Sequence, residues 1–544
     1  MNTDTPSQTS QQRSRTFAND PLHSAAYLNG IKTYLAMGTP LRSTIPIASA
    51  TASFRFLYRY ELRRAGTPST GMRTHDVYNC PENFRSSVSA GTEASELVFL
   101  TGYPSRQWLK EISSHYNIDF RFLQSHLDFL PGARRDWFLG SSIPSRNRHC
   151  ARLLIPSIVF FDSDVREISV RELHEARSSC HMKLREKVKN FFGDSTIQHG
   201  QSIIRRINIH SGDMMVIEQA VSISINNTAS GPRVIVWSDA GDPEDSIVTP
   251  NTPRFQKLSS TADFCPVFFD RGVQSADDTN ITTFNVSVNG NIIPRTLQPL
   301  AVLPSRYGET LDWNEVSTDP LSLLEELFRF QASAASQYLN MLRDLTTERL
   351  AQTPPTGETL PSMDDILHLD YTKTVLIRWS AHFKTLVGVL NDHVFHVEAK
   401  LLKDDDRRLK LKLSLLKDLE FLQAEAETLI TVCDSGKSTI MNLSTVFDSR
   451  QAAKDSSLVT ELTKATNRIT FIFLPISFVT SVFGMNFRQF GQGPLSITIW
   501  FAVALPLLSI CIFLTERKAW LKSWRSLFTT RTKASGGLQA TGHR

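Results

Sequence analysis

The chain has 544 residues, enough for two or three domains, and its mean hydropathy is slightly negative. A protein that crosses the membrane many times is therefore excluded, and a large soluble body with a small membrane anchor is favoured. With 59 basic and 54 acidic side chains the net charge is +5, a balance too even to suggest a nucleic-acid partner.

The six cysteines are scattered along the chain and form no CxxC pair. This spacing argues against a disulfide scaffold or a cysteine-based zinc site, and it fits a reducing compartment. The sequence shows no nucleophile and base at a spacing that supports catalysis. An enzyme is therefore not expected, and neither is an organic cofactor.

The N-terminal half divides into two predicted regions. Residues 1–90 are polar with little apolar periodicity, which predicts a poorly ordered region. Residues 91–310 predict a mixed α/β cytoplasmic domain, in which 108–130 has a helical pattern. Three apolar-alternating runs parted by turn residues predict an antiparallel β-meander; they are 202–209, 214–225 and 232–238.

Residues 311–467 predict a helical bundle and stalk with coiled-coil character. No proline occurs between residues 363 and 474, so very long helices fit there. The last helix is expected to begin between about 410 and 425 and to continue into the membrane. Apolar side chains follow a spacing of three to four residues along it, as in a helix that packs on neighbours; they include Leu429, Cys433, Ile440, Leu443, Leu458 and Leu462.

Two uncharged stretches near the C-terminus, residues 469–487 and 489–515, predict a pair of transmembrane helices. A stretch of about 18 or more residues without charge is a candidate span, because about 20 helical residues cross the hydrocarbon core. Since the connection is short, residues 468–516 are expected to form a hairpin that crosses the lipid bilayer and crosses back. Residues 517–544 then form a basic cytoplasmic tail.

Basic residues flank the hairpin on one side of the membrane. Lys464 and Arg468 precede the first span and several lysines and arginines follow the second, whereas the connecting loop carries Arg488 alone. The positive-inside rule therefore predicts both termini in the cytoplasm. The first 20 residues have neither an apolar segment nor an apolar helix face, so the plasma membrane is favoured over the mitochondrial inner membrane.

One face of the first span carries small or hydroxylated side chains. Thr463, Thr470 and Ser477 are seven residues apart, and Asn467, Leu474 and Ser481 form the adjacent line. In lipid, a polar helix face needs a protein partner or water. Close helix packing and an aqueous path both explain the pattern, and the aqueous path is favoured. Because two helices cannot enclose a pore, that interpretation requires several copies of the chain.

The tripeptide Gly484-Met485-Asn486 closes the first span, with Phe483 before it and Phe487 after it. Together with the long charged helix before it and the second span after it, the motif resembles the CorA-type magnesium transporter superfamily, which includes the ZntB zinc transporters. This C-terminal resemblance covers residues 458–522. Trp108-Leu109, residues 115–119 and His126-Leu127 also resemble the soluble domain of fungal CorA-like proteins.

The resemblance implies a homopentameric funnel made of an α/β soluble domain, a long helical stalk and two C-terminal transmembrane helices. It also implies a divalent-cation channel or transporter, foremost for Mg²⁺. Mg²⁺ gives up its water reluctantly, and a ring of Asn486 carbonyls at the pore entrance would accept hydrogen bonds from that water. Gly484 allows close backbone approach at the entrance, and Met485 packs there. Six side chains would line the pore below it: Ser481, Ser477, Leu474, Thr470, Asn467 and Thr463.

The resemblance also implies regulatory Mg²⁺ bound between subunits by acidic residues, which would repel one another when the ion leaves. Candidates by position on the stalk are Glu425, Glu427, Asp434 and Asp448. Solvated helix charges are the alternative explanation for each of them.

The loop after the tripeptide departs from the family pattern. Many relatives carry acidic residues there, whereas residues 487–493 contain no acid and include Arg488. A ring of positive charges would repel divalent cations, although salt screens it over a Debye length of about 8 Å. Two alternatives therefore stay open: a transport-inactive membrane anchor for a soluble interaction domain, and a ZntB-like Zn²⁺ transporter.

Overall fold

A computed structural model describes residues 55–62, 74–88, 95–127, 150–161, 168–189, 199–228, 231–242, 262–269, 283–288, 291–308, 311, 319–352, 363–391, 405–483 and 496–513. The chain divides into two compact units. The first contains Met1–Thr353 and Ser362–Thr439, and the second contains Pro354–Pro361 and Ile440–Arg544.

Eight strands of the first unit form one mixed sheet. They are β1 (Leu57–Leu62), β2 (Thr74–Tyr78), β3 (Ser95–Thr101), β4 (Cys150–Phe161), β5 (Arg206–Ile209), β6 (Met214–Thr228), β7 (Gly231–Ser238) and β8 (Ala262–Phe264). Their order is β2-β1-β3-β7-β6-β4-β8, with β5 paired to β6. Strands β3 and β7 are parallel, and the other described pairs are antiparallel. A separate antiparallel hairpin joins β9 (Thr283–Val288) to β10 (Asn291–Thr296).

Helices cover both faces of this sheet, which explains why its central strands are nearly continuous apolar runs. Every residue of β3 is buried. On one face, α1 (Pro81–Val88), α2 (Arg106–Tyr116) and α3 (Phe120–His126) pack over a cluster that includes Val98, Ile235 and Trp237. A second cluster joins β5 and β6 to α4 (Val170–Lys189).

The segment predicted as one helix over 108–130 forms two helices because α2 ends at Asn117. Asn117 adopts a left-handed conformation with φ of 47°, which stops the helix. At the other end, the Ser105 hydroxyl accepts a hydrogen bond from the Trp108 amide at 3.2 Å. Trp108 and Tyr116 are buried in the core. The motif of residues 108–127 therefore positions the helices that cover the sheet.

Four helices follow the strands: α5 (Pro299–Arg306), α6 (Pro320–Leu323), α7 (Glu325–Gln352) and α8 (Met363–Asn391). Helix α8 contacts the sheet through buried polar groups. The Glu218 carboxylate of β6 accepts hydrogen bonds from Trp379 Nε1 at 3.0 Å, from Asn208 Nδ2 at 2.6 Å and from Arg378. Since all three donors share one buried oxygen, α8 is held to the sheet in a single position.

The longest helix, α9, extends from Asp405 to Phe483, and α10 comprises Ile497–Phe513. Helix α9 begins earlier than predicted, with an acidic first turn that favours a helix N-terminus. Apolar side chains at intervals of three or four are buried along its portion in the first unit, as the spacing predicted; these are Leu415, Leu419, Leu422, Ala426, Leu429 and Cys433.

The predicted meander is confirmed, because β5, β6 and β7 pair antiparallel in that order. Strands β1 and β2 lie within the first 90 residues, so the sheet extends upstream of the boundary expected there. Two residues of β1 are charged, and one of them, Arg59, is buried against Glu96 at 3.1 Å. This pairing explains why a sheet strand has a polar sequence. Helices α7 and α8 belong to the same unit as the sheet.

Replacing Gly102 with alanine is expected to lower the free energy of unfolding by about 1–3 kcal/mol. Gly102 has φ of 66°, and an added Cβ would lie 2.7 Å from the Gln201 carbonyl oxygen and 2.9 Å from the Gly241 Cα. Gly388 is the matched control, because nothing lies within 4 Å of its added Cβ in α8. Gly388→Ala should raise stability by about 0.5–1 kcal/mol. Denaturant unfolding measures both changes, and equal changes in unfolding free energy for the two variants would contradict this expectation.

Acidification is expected to destabilise the first unit. Burial lowers the pKa of His210 from 6.5 to about 3 and holds the pKa of His126 well below its usual range. Below pH 6.5 the unfolded chain therefore binds protons that the folded chain does not, so stability falls as the pH is lowered. Each histidine adds a slope approaching about 1.4 kcal/mol per pH unit. Denaturant unfolding at a series of pH values from about 7 to 5 measures this slope of the unfolding free energy against pH. The slope should be smaller in His210→Gln, and a pH-independent stability would contradict the account.

Candidate functional site

The C-terminal end of α9 is apolar and exposed within a single chain. Helix α9 contains a window long and apolar enough to cross a membrane, and α10 is a shorter apolar helix. Ile469, Phe473 and Phe478 are 67%, 68% and 65% exposed. Such a continuous apolar surface needs lipid or protein to cover it.

The side chains predicted to line a pore all lie on one exposed side of α9. We call this set the hydroxyl stripe; it contains Thr463, Asn467, Thr470, Leu474, Ser477 and Ser481. At about 100° per residue, seven residues return a helix almost to the same side. Leu474, 62% exposed, interrupts the polar groups of this side with one apolar side chain.

The opposite side of α9 is covered only near the C-terminal end of the helix, since Ile472, about 200° around the helix from Thr470, is exposed. Val479 is buried, and it lies nine residues after Thr470, which places it about 180° away around the helix. Pro475, Ile476 and Phe483 are half-buried around it. Helix α10 is also covered along one line, at Trp500, Ala504, Leu508 and Cys511. Each apolar helix of the second unit therefore has a covered patch, and the patch of α9, within residues 475–483, is opposite the C-terminal part of the hydroxyl stripe.

The hydroxyl groups of the stripe donate their hydrogen bonds inside the helix. Thr463 donates to the Val459 carbonyl at 2.7 Å, and Thr470 donates to the Thr466 carbonyl at 2.9 Å. Ser477 donates to the Leu474 carbonyl at 2.9 Å. Because the protons are used in this way, the oxygen lone pairs remain as acceptors on the exposed side. Such a row of acceptors suits water molecules that donate, including those around a cation.

Residues 484–495 lie outside the described residues, so the structure does not place the predicted entrance residues Gly484, Met485 and Asn486. The last described turn of α9 ends at Phe483. The hydroxyl stripe therefore reaches to within three residues of the tripeptide in sequence, with Ser481 as its final member.

Three of the four acidic residues predicted to bind regulatory metal already have partners in the first unit. These pairs are Glu425 with Arg343, Asp434 with Lys373 at 2.6 Å, and Glu427 with Gln423 at 2.9 Å and Ser380 at 3.3 Å. The fourth, Asp448, is exposed on α9. Among the described residues, no group of three or more His, Cys, Asp or Glu side chains is arranged to hold a metal ion. Regulatory metal binding stays a hypothesis for these positions.

Ser222, His126 and Asp239 lie close together in an arrangement that sequence spacing does not reveal, because they come from distant parts of the chain. His126 Nδ1 is 3.0 Å from the Ser222 hydroxyl, and His126 Nε2 is 3.3 Å from an Asp239 oxygen. All three side chains are fully buried, and Arg205 pairs with Asp239 at 2.6 Å. A nucleophile needs access to a substrate, so this arrangement stabilises the core of the sheet domain.

The comparisons with known proteins found one family model and similar solved structures. Residues 273–517 match the family model described as CorA-like Mg²⁺ transporter protein, a little under half of the chain. No curated protein matches the chain. Among solved structures, the complete structure of the CorA magnesium transporter from Methanocaldococcus jannaschii is similar over 84% of this chain and 96% of that chain, with 12% sequence identity and a TM-score of 0.32.

Cysteine labelling tests whether the hydroxyl stripe faces water. In a background with Cys511 replaced by serine, Ser477→Cys is expected to react with a water-soluble thiol reagent in membranes. Val479→Cys, two residues away on the covered side, is expected to stay unmodified. The modified fraction is measured by a mass shift on a gel. Equal labelling of the two positions, or labelling of Val479→Cys alone, would contradict the assignment of the two faces.

Proposed function

We propose, from the premise that residues 273–517 of this chain belong to the CorA superfamily, that the protein is a membrane-integral channel or transporter for divalent cations, foremost Mg²⁺. The observation that carries the proposal is the hydroxyl stripe, which is exposed along α9, while the opposite side is covered around Val479. A polar face at membrane depth needs water or a protein partner, and this one leads toward the Gly484-Met485-Asn486 motif.

The proposed assembly is a homopentamer in the lipid bilayer. In it, residues 468–516 cross the membrane twice and both termini lie in the cytoplasm, at the plasma membrane. A single α9 offers one polar side and cannot enclose a path, so several copies must place their stripes around a common axis. The exposed Leu458 and Leu462, 63% and 69% accessible in one chain, would then be covered by neighbouring subunits.

Asn486 is the proposed ligand at the pore entrance. An amide carbonyl accepts hydrogen bonds from the water around Mg²⁺ and holds that ion less tightly than a carboxylate, so the ion can leave again. Below the entrance, the hydroxyl oxygens of Ser477 and Thr470 would continue the row of acceptors. Leu474 between them would be an apolar constriction, at which the path can lose its water.

Regulation by cytoplasmic Mg²⁺ is proposed at Asp448 before the other stalk carboxylates. Glu425, Glu427 and Asp434 would have to give up their present partners to bind an ion. Asp448 has an exposed carboxylate in the second unit. A metal there would need oxygen ligands from a neighbouring subunit, since Mg²⁺ takes six ligands.

A second candidate function is a transport-inactive membrane anchor for the sheet domain. It is favoured by the loop after the tripeptide, which contains Arg488 and no acidic residue over 487–493. Several copies would place as many positive charges at the entrance, and these would repel a divalent cation. The anchor would keep the membrane hairpin and the assembly but would carry no ions.

Mg²⁺ uptake by cells depleted of their own transporters separates the two functions. The wild-type chain is expected to restore uptake, and Asn486→Ala is expected to reduce it by about tenfold or more, because the loss of one ligand ring costs at least about 1.4 kcal/mol. Asn442→Ala on the exposed surface of α9 is the matched control and should transport normally.

Wild-type expression at the membrane without any Mg²⁺ uptake would support the anchor. Uptake that is unchanged in Asn486→Ala would remove Asn486 from the proposed entrance while leaving transport itself in place. Membrane levels of each variant are measured in the same cells, so that a loss of uptake is not confused with a loss of protein.

A further inference from the structure

Three guanidinium groups lie around Tyr371 in the first unit. Arg177 of α4 is stacked over the phenol ring, with its Cζ 3.4 Å from the ring centroid. Arg206 of β5 and Arg378 of α8 are close enough for their charges to act on the Tyr371 hydroxyl. Tyr371 is half-buried and Arg206 is exposed, so this cluster is open to solvent.

Only one carboxylate among the described residues pairs with these three cations. Glu218, the register partner of Arg206 on β6, forms its ion pair with Arg378. Arg177 donates to the Ile209 carbonyl at 2.8 Å and forms no ion pair in the described part of the chain. The side chain of Arg206 makes neither a hydrogen bond nor an ion pair among the described residues. The cluster therefore has more positive than negative charge.

The donor atoms of the cluster are incompletely used. Arg378 Nε is buried and has no hydrogen-bond partner in the described structure. Burial lowers the pKa of Arg177 to about 10, and burial followed by repulsion from Arg378 lowers the pKa of Arg206. Attraction to the Glu218 carboxylate opposes the shift of Arg206 without cancelling it, so the cluster can accommodate further negative charge. An anion that accepts several hydrogen bonds would supply that charge.

We propose that Arg206, Arg378 and Tyr371 bind a phosphate-bearing anion at the junction of β5 and α8. The guanidinium of Arg206 presents a planar set of N–H donors that matches phosphate oxygens. Arg378, whose side chain is 26% exposed, would add guanidinium hydrogens that Glu218 does not accept, and Tyr371 would add its hydroxyl, which now makes a long 3.4 Å bond to Asn208. Arg177 would add long-range attraction from its place over the ring. This site lies in the sheet domain and does not depend on the proposed transport.

Thermal unfolding of the full chain in detergent tests the proposal. Orthophosphate and tripolyphosphate are titrated separately at about pH 7.5 against chloride of equal ionic strength, which removes general screening. The unfolding midpoint is expected to rise and to saturate. Arg206→Ala should raise the half-saturating phosphate concentration by about tenfold. Arg206→Lys should raise it less, because a lysine keeps the charge without the planar donors.

Two further variants separate binding from folding. Arg171→Ala on α4, where the side chain is 89% exposed and pairs with Glu175, is the matched arginine control and should respond as the wild type does. Tyr371→Phe keeps the ring under Arg177 and should bind several-fold more weakly. Saturable binding of either probe that is weakened by Arg206→Ala supports the site, and the tighter probe shows whether a single phosphate or a phosphate chain is the ligand. The proposal would be overturned if phosphate did not change the unfolding midpoint. It would also be overturned if the midpoint rose without saturation and equally in all variants, which would show an adventitious ion only.

Discussion

A polar helix face inside a membrane must be given water or a partner, and the rest of this protein can be understood from that constraint. In the hydroxyl stripe of α9, Thr463, Thr470 and Ser477 donate within the helix and expose their acceptors, while the side around Val479 is covered. Lipid offers such acceptors no hydrogen-bond donors, so in the proposed assembly water and neighbouring copies of the chain cover them. The proposed assembly, aqueous path and ion-binding role of Asn486 all start from this asymmetry.

A different constraint applies to the sheet domain, in which buried charged groups need partners. Glu218 accepts hydrogen bonds from Arg378, Trp379 and Asn208. Asp239 forms an ion pair with Arg205. Removing one partner of such a group leaves an uncompensated buried charge, which costs more than the pair contributes. These networks hold α8 against the sheet, and α9 contacts α8 through the Lys373–Asp434 and Lys437–Asp370 pairs. The region around Arg206 is the exception, since its positive charge is not balanced.

Sequence periodicity was sufficient for the elements that obey a simple rule. The long α9, the β5–β7 meander and the buried face of α2 follow directly from apolar spacing. Periodicity was insufficient where the structural role of a residue depends on a contact or a backbone conformation that the apolar pattern does not record. Arg59 gives β1 a polar sequence, and only its ion pair with Glu96 explains how the strand is buried. Asn117 ends a helix that apolar spacing alone would continue. The Ser222–His126–Asp239 arrangement and the cluster around Tyr371 each join residues far apart in the chain, so no local pattern could reveal them.

The central claim is that several identical helices enclose water along their hydroxyl sides and conduct hydrated Mg²⁺ through it. Flux into liposomes that contain the purified full-length chain and an internal Mg²⁺ indicator tests this claim most directly. The account predicts a saturable Mg²⁺ influx that depends on the reconstituted protein and is lost when Ser477 and Thr470 are both replaced by valine. Folded, membrane-inserted protein that remains monomeric and passes no Mg²⁺ would contradict it.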